Sequence, residues 1–295
     1  MRRMAALKIN SAFKLPSGYE IPRLGFGVYQ TPVEDTARCV SEAFKVGYRH
    51  IDSAAGYRNE GPCGEAIRAA SSIPRENVFF TSKVPPQKMG YEGTKSQIAE
   101  SLAESGLEYI DLMLLHAPYG GSASRKGSWK ALVEAVEAGK LRSIGVSNYG
   151  VHHLDELEQH IAELEKERGG KGKGGVISVG QWEIHPYLPR NDIIEWCAKR
   201  GIAVEAYCPL VQGKRWGEPA VKKLAEKYGK SEAQILIRWS LDKGLLPLPK
   251  SVTSKRIQEN ADVFDFELTP EEVKEVETDE YSSIAWDPTV VPLDQ

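Results

Sequence analysis

The sequence predicts an α/β chain, a (β/α)8 TIM barrel with residues 1–295 forming one domain, and three observations carry that prediction. Eight short apolar runs recur at near-regular intervals, at residues 23–28, 50–54, 78–84, 111–117, 141–147, 176–184, 203–208 and 245–249. Between them lie segments whose apolar residues recur three or four apart, at 35–46, 94–105, 129–138 and 191–199, the period of an amphipathic helix. Gly47, Gly106, Gly139 and Gly201 follow these segments, where a left-handed residue ends a helix at little cost. Strand then helix, repeated eight times, is most simply a parallel barrel, and 295 residues suit one such barrel better than two independent cores.

The remaining elements fall around that repeat. Phe13-Lys14-Leu15-Pro16-Ser17-Gly18-Tyr19-Glu20-Ile21-Pro22 alternates in side-chain character about Ser17-Gly18 and reads as an amino-terminal hairpin outside the barrel. Residues 154–168 read as a charged amphipathic helix. The tract Gly169-Gly170-Lys171-Gly172-Lys173-Gly174-Gly175 behind it reads as a solvated connector, because it lacks the GxxxxGK[ST] spacing that cradles a nucleotide. Thr269-Pro270-Glu271-Glu272 opens a carboxyl-terminal helix with a capping hydroxyl and an acidic first turn. Beyond Tyr281 the chain has no clear period, and Trp286 in that tail either covers a site or packs on the barrel.

Composition narrows the class. A formal net charge of -3, with acidic and basic residues interspersed, leaves no footprint for nucleic acid. Cys39, Cys63, Cys197 and Cys208 form no CxxC pair and read as reduced thiols of a cytoplasmic enzyme, with no metal site. The stretch Met1-Arg2-Arg3-Met4-Ala5-Ala6-Leu7-Lys8 is basic without a sustained apolar segment, and no later stretch approaches the ~20 apolar residues of a membrane span. A soluble, unexported protein, a monomer or weak homodimer with no membrane partner, is the expectation. His152, His153 and His160 read as surface residues, and His185 as packing.

Chemistry is concentrated at the ends of the apolar runs. Asp52 and Tyr57 lie in Gly47-Tyr48-Arg49-His50-Ile51-Asp52-Ser53-Ala54-Ala55-Gly56-Tyr57, Lys83 closes the third run and His116 the fourth. In a barrel, groups at the carboxyl ends of successive strands converge on one rim. Reducing a carbonyl leaves negative charge on oxygen, so a proton donor must stand within about 3 Å of it. Tyr57 is the natural donor, with Lys83 favouring the phenolate, Asp52 holding Lys83, and His116 placing a hydrogen bond at the oxygen. Singly, an Asp–Lys pair reads as a salt bridge and a lone His or Tyr as core; the ordered set points to catalysis.

These motifs resemble the aldo-keto reductase family. The resemblance runs from Leu24-Gly25-Phe26-Gly27 to Asn260 in family order, through Ser82-Lys83, Leu115-His116 and Gly145-Val146-Ser147-Asn148. It implies NADP(H) as cofactor and a small aldehyde or ketone as substrate. Ser147, Asn148 and Gln181 offer groups for a carboxamide, and Tyr207 a stacking face, with Leu210 beside it. Lys250 and Arg256, with Ser251, Val252 and Thr253, suit an adenosine 2′-phosphate, and Glu259 and Asn260 the adenine. No GxGxxG fingerprint is present, which disfavours a Rossmann cofactor domain. Many members carry tryptophan where this chain has Tyr29 and Ala117, so the substrate pocket, with Trp286 as a further member, is expected to be wider on that side. Two other functions stay open: a redox-sensing cofactor module of the same fold, and a Schiff-base aldolase or lyase acting through Lys83.

Overall fold

The computed structural model describes residues 7–295, and the sequence reading of residues 1–6 lies outside them. The chain opens with β1 (Ala12–Lys14) antiparallel to β2 (Glu20–Pro22), Phe13 opposite Ile21, with Gly18 turning at φ 92°. All eight apolar runs then contribute a strand: β3 (Phe26–Gly27), β4 (His50–Asp52), β5 (Phe79–Val84), β6 (Ile110–Leu115), β7 (Leu141–Ser147), β8 (Val179–Glu183), β9 (Ala203–Tyr207) and β10 (Leu246–Pro247). They pair in parallel in chain order. Gly25 N–H donates to Pro247 O at 3.1 Å and Gly27 N–H to Pro249 O at 3.0 Å, so the backbones flanking the first and last strands also meet. Eight parallel strands with helices between them are consistent with a (β/α)8 fold.

Alternation along the strands sorts two cores. Successive strand residues point to opposite faces. Phe79, Leu112, Leu114, Val179, Ala203 and Leu246 pack together with Leu15 and Ile21 of the hairpin, which therefore closes one end of the interior. Their neighbours Phe80, Met113, Leu115 and Val204 face the helices in a second, larger core. Continued from the first set, the same alternation places Lys83, His116, Gln181 and Tyr207 towards the opposite end.

The helices are α1 (Val33–Val46), α2 (Glu60–Ala69), α3 (Tyr91–Ser105), α4 (Gly121–Glu137), α5 (Val151–Glu167), α6 (Asn191–Ala198), α7 (Pro219–Tyr228), α8 (Glu232–Asp242), α9 (Ser254–Ala261) and α10 (Pro270–Val276). In α1 the buried residues Thr36, Cys39, Val40, Ala43 and Phe44 form one stripe, and Gly47 ends it at φ 117° with its N–H on Ala43 O and Phe44 O. Thr269 caps α10 as the sequence implies, accepting from Glu272 N–H at 3.2 Å. Among the described residues no helix is long and apolar enough to cross a membrane, and the four cysteines are free.

Two local readings change, and a third gains a detail. The fourth helix begins at Gly121 rather than near Trp129, since the Gly/Ser-rich stretch before Trp129 reads locally as loop. His153 and His160 are buried rather than on the surface: they share the inner stripe of α5 with Leu154, Leu157 and Leu164, and only His152 is exposed. The glycine tract is exposed over residues 169–173 but is fastened where Trp129 Nε1–H donates to Gly174 O at 2.8 Å. His185 packs inside as expected, 3.0 Å from Glu183.

The tail beyond α10 is held by charged side chains. Arg190 donates to Tyr281, Thr289 and Asp287 at 2.8–2.9 Å. Glu183 accepts from Ile284 N–H at 2.7 Å and from Ala285 N–H and Ser283 Oγ–H at 3.0 Å. Arg125 of α4 reaches Leu293 O and Gln295 O.

Candidate active site

Four side chains meet at the rim. Asp52 ends β4, and Ser53-Ala54-Ala55-Gly56, all small, lets the chain turn at once into the short 3-10 turn that carries Tyr57. Lys83, next to last in β5, is fully buried. Its Nζ donates to Asp52 Oδ1 at 2.8 Å, Asp52 Oδ2 at 2.9 Å and Ser53 O at 2.7 Å, and stands 3.4 Å from Tyr57 Oη. His116 follows β6, its ring 5.8 Å from that of Tyr57.

Burial dominates the electrostatics. It pushes the Asp52 carboxyl up from its ordinary value of 3.8, with Lys83 pulling against it. It also pushes the Tyr57 phenol well above 10.0, and Asp52 adds to that. The sequence reading expected Lys83 to favour the phenolate. Three acceptors on Asp52 and Ser53 engage Lys83 at shorter range, burial outweighs it, and Tyr57 keeps its proton. Burial and the Lys83 charge together pull His116 down to about 3, leaving a neutral imidazole that has one N–H to donate.

A cleft of about 710 Å³ opens over this group, lined by Asp52, Tyr57, His116, Asn148, Gln181 and Tyr207 among others. Ser147 Oγ–H donates to Gln181 O at 2.9 Å, Asn148 Nδ2 donates to His116 O at 2.9 Å, and Tyr207 Oη–H donates to Asn148 Oδ1 at 2.8 Å. One hydrogen-bonded chain thus fixes the groups the sequence singled out. Asn148 adopts φ 61°, a conformation asparagine tolerates better than most residues. A second cleft of about 570 Å³ adjoins the first, sharing Leu210, Gln212 and Lys250, and is lined by Ser251, Val252, Thr253, Arg256, Glu259 and Asn260. Every residue assigned from sequence to the phosphate and adenine end therefore lies on one wall. Lys250 and Arg256 supply cations there, and Ser251 and Thr253 hydroxyls.

On the substrate side Tyr29 and Trp286 line the first cleft, and Ala117 does not: it is fully buried beneath the rim. The flank expected to be wider is faced by the tail, where the Trp286 ring stands 5.8 Å from His116 and stacks on Tyr119 at 6.0 Å. Sequence reasoning missed Gln30, Gln87, Gln212 and Trp216, which line the clefts from loops with no periodic signature. It also missed Glu183 and Glu205. Both interrupt apolar runs at inward positions of the alternation, a signal that was there to be read.

Known proteins resemble this chain over most of its length. The model of the Aldo/keto reductase family matches residues 23–279. An uncharacterized oxidoreductase of Schizosaccharomyces pombe is 42% identical over 289 residues, 97% of this chain and 100% of its own. Glyoxal reductase of Bacillus subtilis is 40% identical over 270 residues, 91% of this chain and 92% of its own. A crystal structure of a Bombyx mori aldo-keto reductase in complex with NADP superposes with a TM-score of 0.82 at 30% identity, covering 95% of this chain and 96% of that one.

Proposed function

Because the chain belongs to the aldo/keto reductase family, we propose that it reduces an aldehyde or ketone to the alcohol with NADP(H), and that Tyr57 supplies the proton. The observation that carries the proposal is the Tyr57 hydroxyl, 3.4 Å from the Lys83 ammonium, in a cleft that runs on into a wall bearing Lys250 and Arg256. The residues fit the cofactor. Lys250 and Arg256 offer charge to a 2′-phosphate, Asn148 and Gln181 a polar patch to the carboxamide, and Tyr207 a flat face to the ring. Ser147, expected from sequence in that patch, is fully buried behind it, donating to Gln181 O and accepting from Asn148 Nδ2. When bound, the nicotinamide supplies a hydride to the carbonyl carbon.

The chain's own residues manage the oxygen. Tyr57 Oη–H hydrogen-bonds to the carbonyl oxygen and transfers its proton as negative charge gathers there. Lys83 stabilises the phenolate that remains, Asp52 keeps Lys83 in place, and Tyr57 is reprotonated from solvent. Neutral His116 donates a second hydrogen bond to the oxygen, which orients the carbonyl. Tyr29, Tyr57, Trp286 and His116 surround the substrate with aromatic surface, suited to an uncharged carbonyl compound. The Bombyx mori structure with bound NADP and the Bacillus subtilis enzyme named for glyoxal support both halves of the reading. A Schiff base at Lys83 is disfavoured, since a nucleophilic amine needs a free lone pair and this nitrogen is buried among three acceptors.

The reading extends to the whole chain: one closed (β/α)8 barrel domain, cytoplasmic, a monomer or weak homodimer with no nucleic-acid or membrane partner. The test is NADPH oxidation, followed by loss of near-ultraviolet absorbance with a panel of aldehydes, beside borohydride trapping of a lysine adduct. Turnover without an adduct is expected. An adduct would establish the aldolase reading, and tight NADPH binding without turnover the redox-sensing one.

A further inference from the structure

One buried carboxylate inside the barrel has no part in the steps above. Glu205, the middle residue of β9, is fully buried and in register with Gln181 of β8. Its Oε2 accepts from Gln181 Nε2 at 2.7 Å, and the same nitrogen donates to Asp52 Oδ2 at 2.8 Å. Its Oε1 lies 3.1 Å from His50 Nε2, which is 3.3 Å from Thr81 Oγ1. A primary amide nitrogen carries two hydrogens, so both are taken by carboxylates. Turned end for end, the amide would set Oε1 against the same two carboxylates, acceptor against acceptor. The pair therefore decides which atom of Gln181 is left for the cleft. That atom is Oε1, which accepts no hydrogen bond among the described residues although Gln181 lines the cleft.

We propose that Glu205 is a positioning residue which, with Asp52, locks the Gln181 amide so that Oε1 faces the cleft as an acceptor for the amide hydrogens of a nicotinamide. The inference rests on the reading of the cleft as an NADP(H) site. Glu205 also ties that cofactor contact to the catalytic group, because the nitrogen it holds is the one that holds Asp52. The charged or titratable groups facing Glu205 are His50 and Asp52 of β4, with Lys83 of β5 and Tyr57 beyond Asp52; neither residue of β10 carries charge. Its charge adds to burial in raising both Asp52 and Tyr57. Removing that charge lowers both.

The experiment compares wild type with Glu205→Gln, which keeps the volume, by tryptophan fluorescence titration with NADPH and with 2′-phospho-ADP-ribose, which lacks the nicotinamide. A Gln at 205 can donate as well as accept, so the lock on Gln181 is lost. NADPH affinity should fall about tenfold, the value of one charge-assisted hydrogen bond, while 2′-phospho-ADP-ribose binds as before. The high-pH fall of kcat should begin at lower pH than in wild type, which a merely structural role would not produce. Unchanged affinity for both ligands, or an equal loss for both, overturns the proposal. Should the variant not fold, the wild-type Gln181 side-chain amide, assigned by NMR against Gln181→Leu, decides the matter. Two slowly exchanging hydrogens are expected, and fast exchange of either overturns it. Wild type that binds 2′-phospho-ADP-ribose but not NADPH would remove the inference together with the cofactor reading, whereas a normal wild type with an indifferent variant removes the inference alone.

Discussion

Lys83→Met tests how the catalytic pair is held, and its cost follows from the geometry. In wild type the Asp52 carboxylate is buried and receives Lys83 on both oxygens, at 2.8 and 2.9 Å, with Gln181 as the further donor. Methionine fills much of the space and supplies no charge. Breaking a buried pair from one side costs about 3–5 kcal/mol, because the partner is left uncompensated. Asp52 escapes part of that cost by taking up a proton, and this gives the loss a pH dependence. Burial already raises the Asp52 pKa with Lys83 opposing it, so without Lys83 it rises further. A carboxyl whose folded pKa lies above its unfolded value contributes stability at pH below the unfolded value and loses it as pH rises towards the folded one. The deficit of the variant should therefore grow as pH rises above the ordinary carboxyl value of 3.8, by up to about 1.4 kcal/mol per pH unit. Urea unfolding of both proteins from that value to pH 8 measures it. A variant as stable as wild type at pH 8, or a deficit constant with pH, would refute the idea that Lys83 is what keeps Asp52 charged.

Other outcomes follow from the same geometry. Arg256→Ala should lose roughly ten- to a hundredfold in NADPH affinity and almost none in NADH affinity, with added salt narrowing the gap, as read by tryptophan fluorescence quenching; equal losses would place Arg256 on the shared pyrophosphate. Given a conjugated enone, the enzyme should yield the allylic alcohol, because neutral His116 and Tyr57 both direct their hydrogen bonds to the carbonyl oxygen; a saturated ketone as main product would contradict the role given to His116. Glu183→Gln weakens three hydrogen bonds that hold the tail, so amide exchange at Ile284 and Ala285 should quicken about tenfold or more, and exchange as slow as wild type would show the tail to be held elsewhere.

What could be read from the sequence was whatever repeats locally. A run such as Val78-Phe79-Phe80 is apolar because both faces of a central parallel strand are covered, and every such run proved to hold a strand. The tetrad and the wall from Lys250 to Asn260 were legible because each residue sits at a fixed offset from a strand end or helix start. The failures share a cause. Helix α4 starts in a Gly/Ser-rich stretch that tertiary contact stabilises, with Arg125 buried against Glu156 of α5. His153 and His160 looked exposed because the residues around them are charged, while the spacing that buries them is helical. Trp286 reaches the cleft through Arg190 and Glu183, contacts about a hundred residues distant that leave no trace in the local pattern. The alternation did carry Glu205, as an acid at an inward position, but its importance depends on Gln181 and Asp52 from two other strands.

Tyr57→Phe tests the central claim most directly, since it removes one hydroxyl and leaves the ring against Tyr29 and His116. The measurement is steady-state NADPH oxidation with an aldehyde, beside NADPH affinity by fluorescence quenching. If Tyr57 is the proton donor, kcat falls by about 10²–10⁴-fold while NADPH affinity stays nearly unchanged. A variant keeping more than roughly half of the wild-type kcat would show that the proton comes from another group.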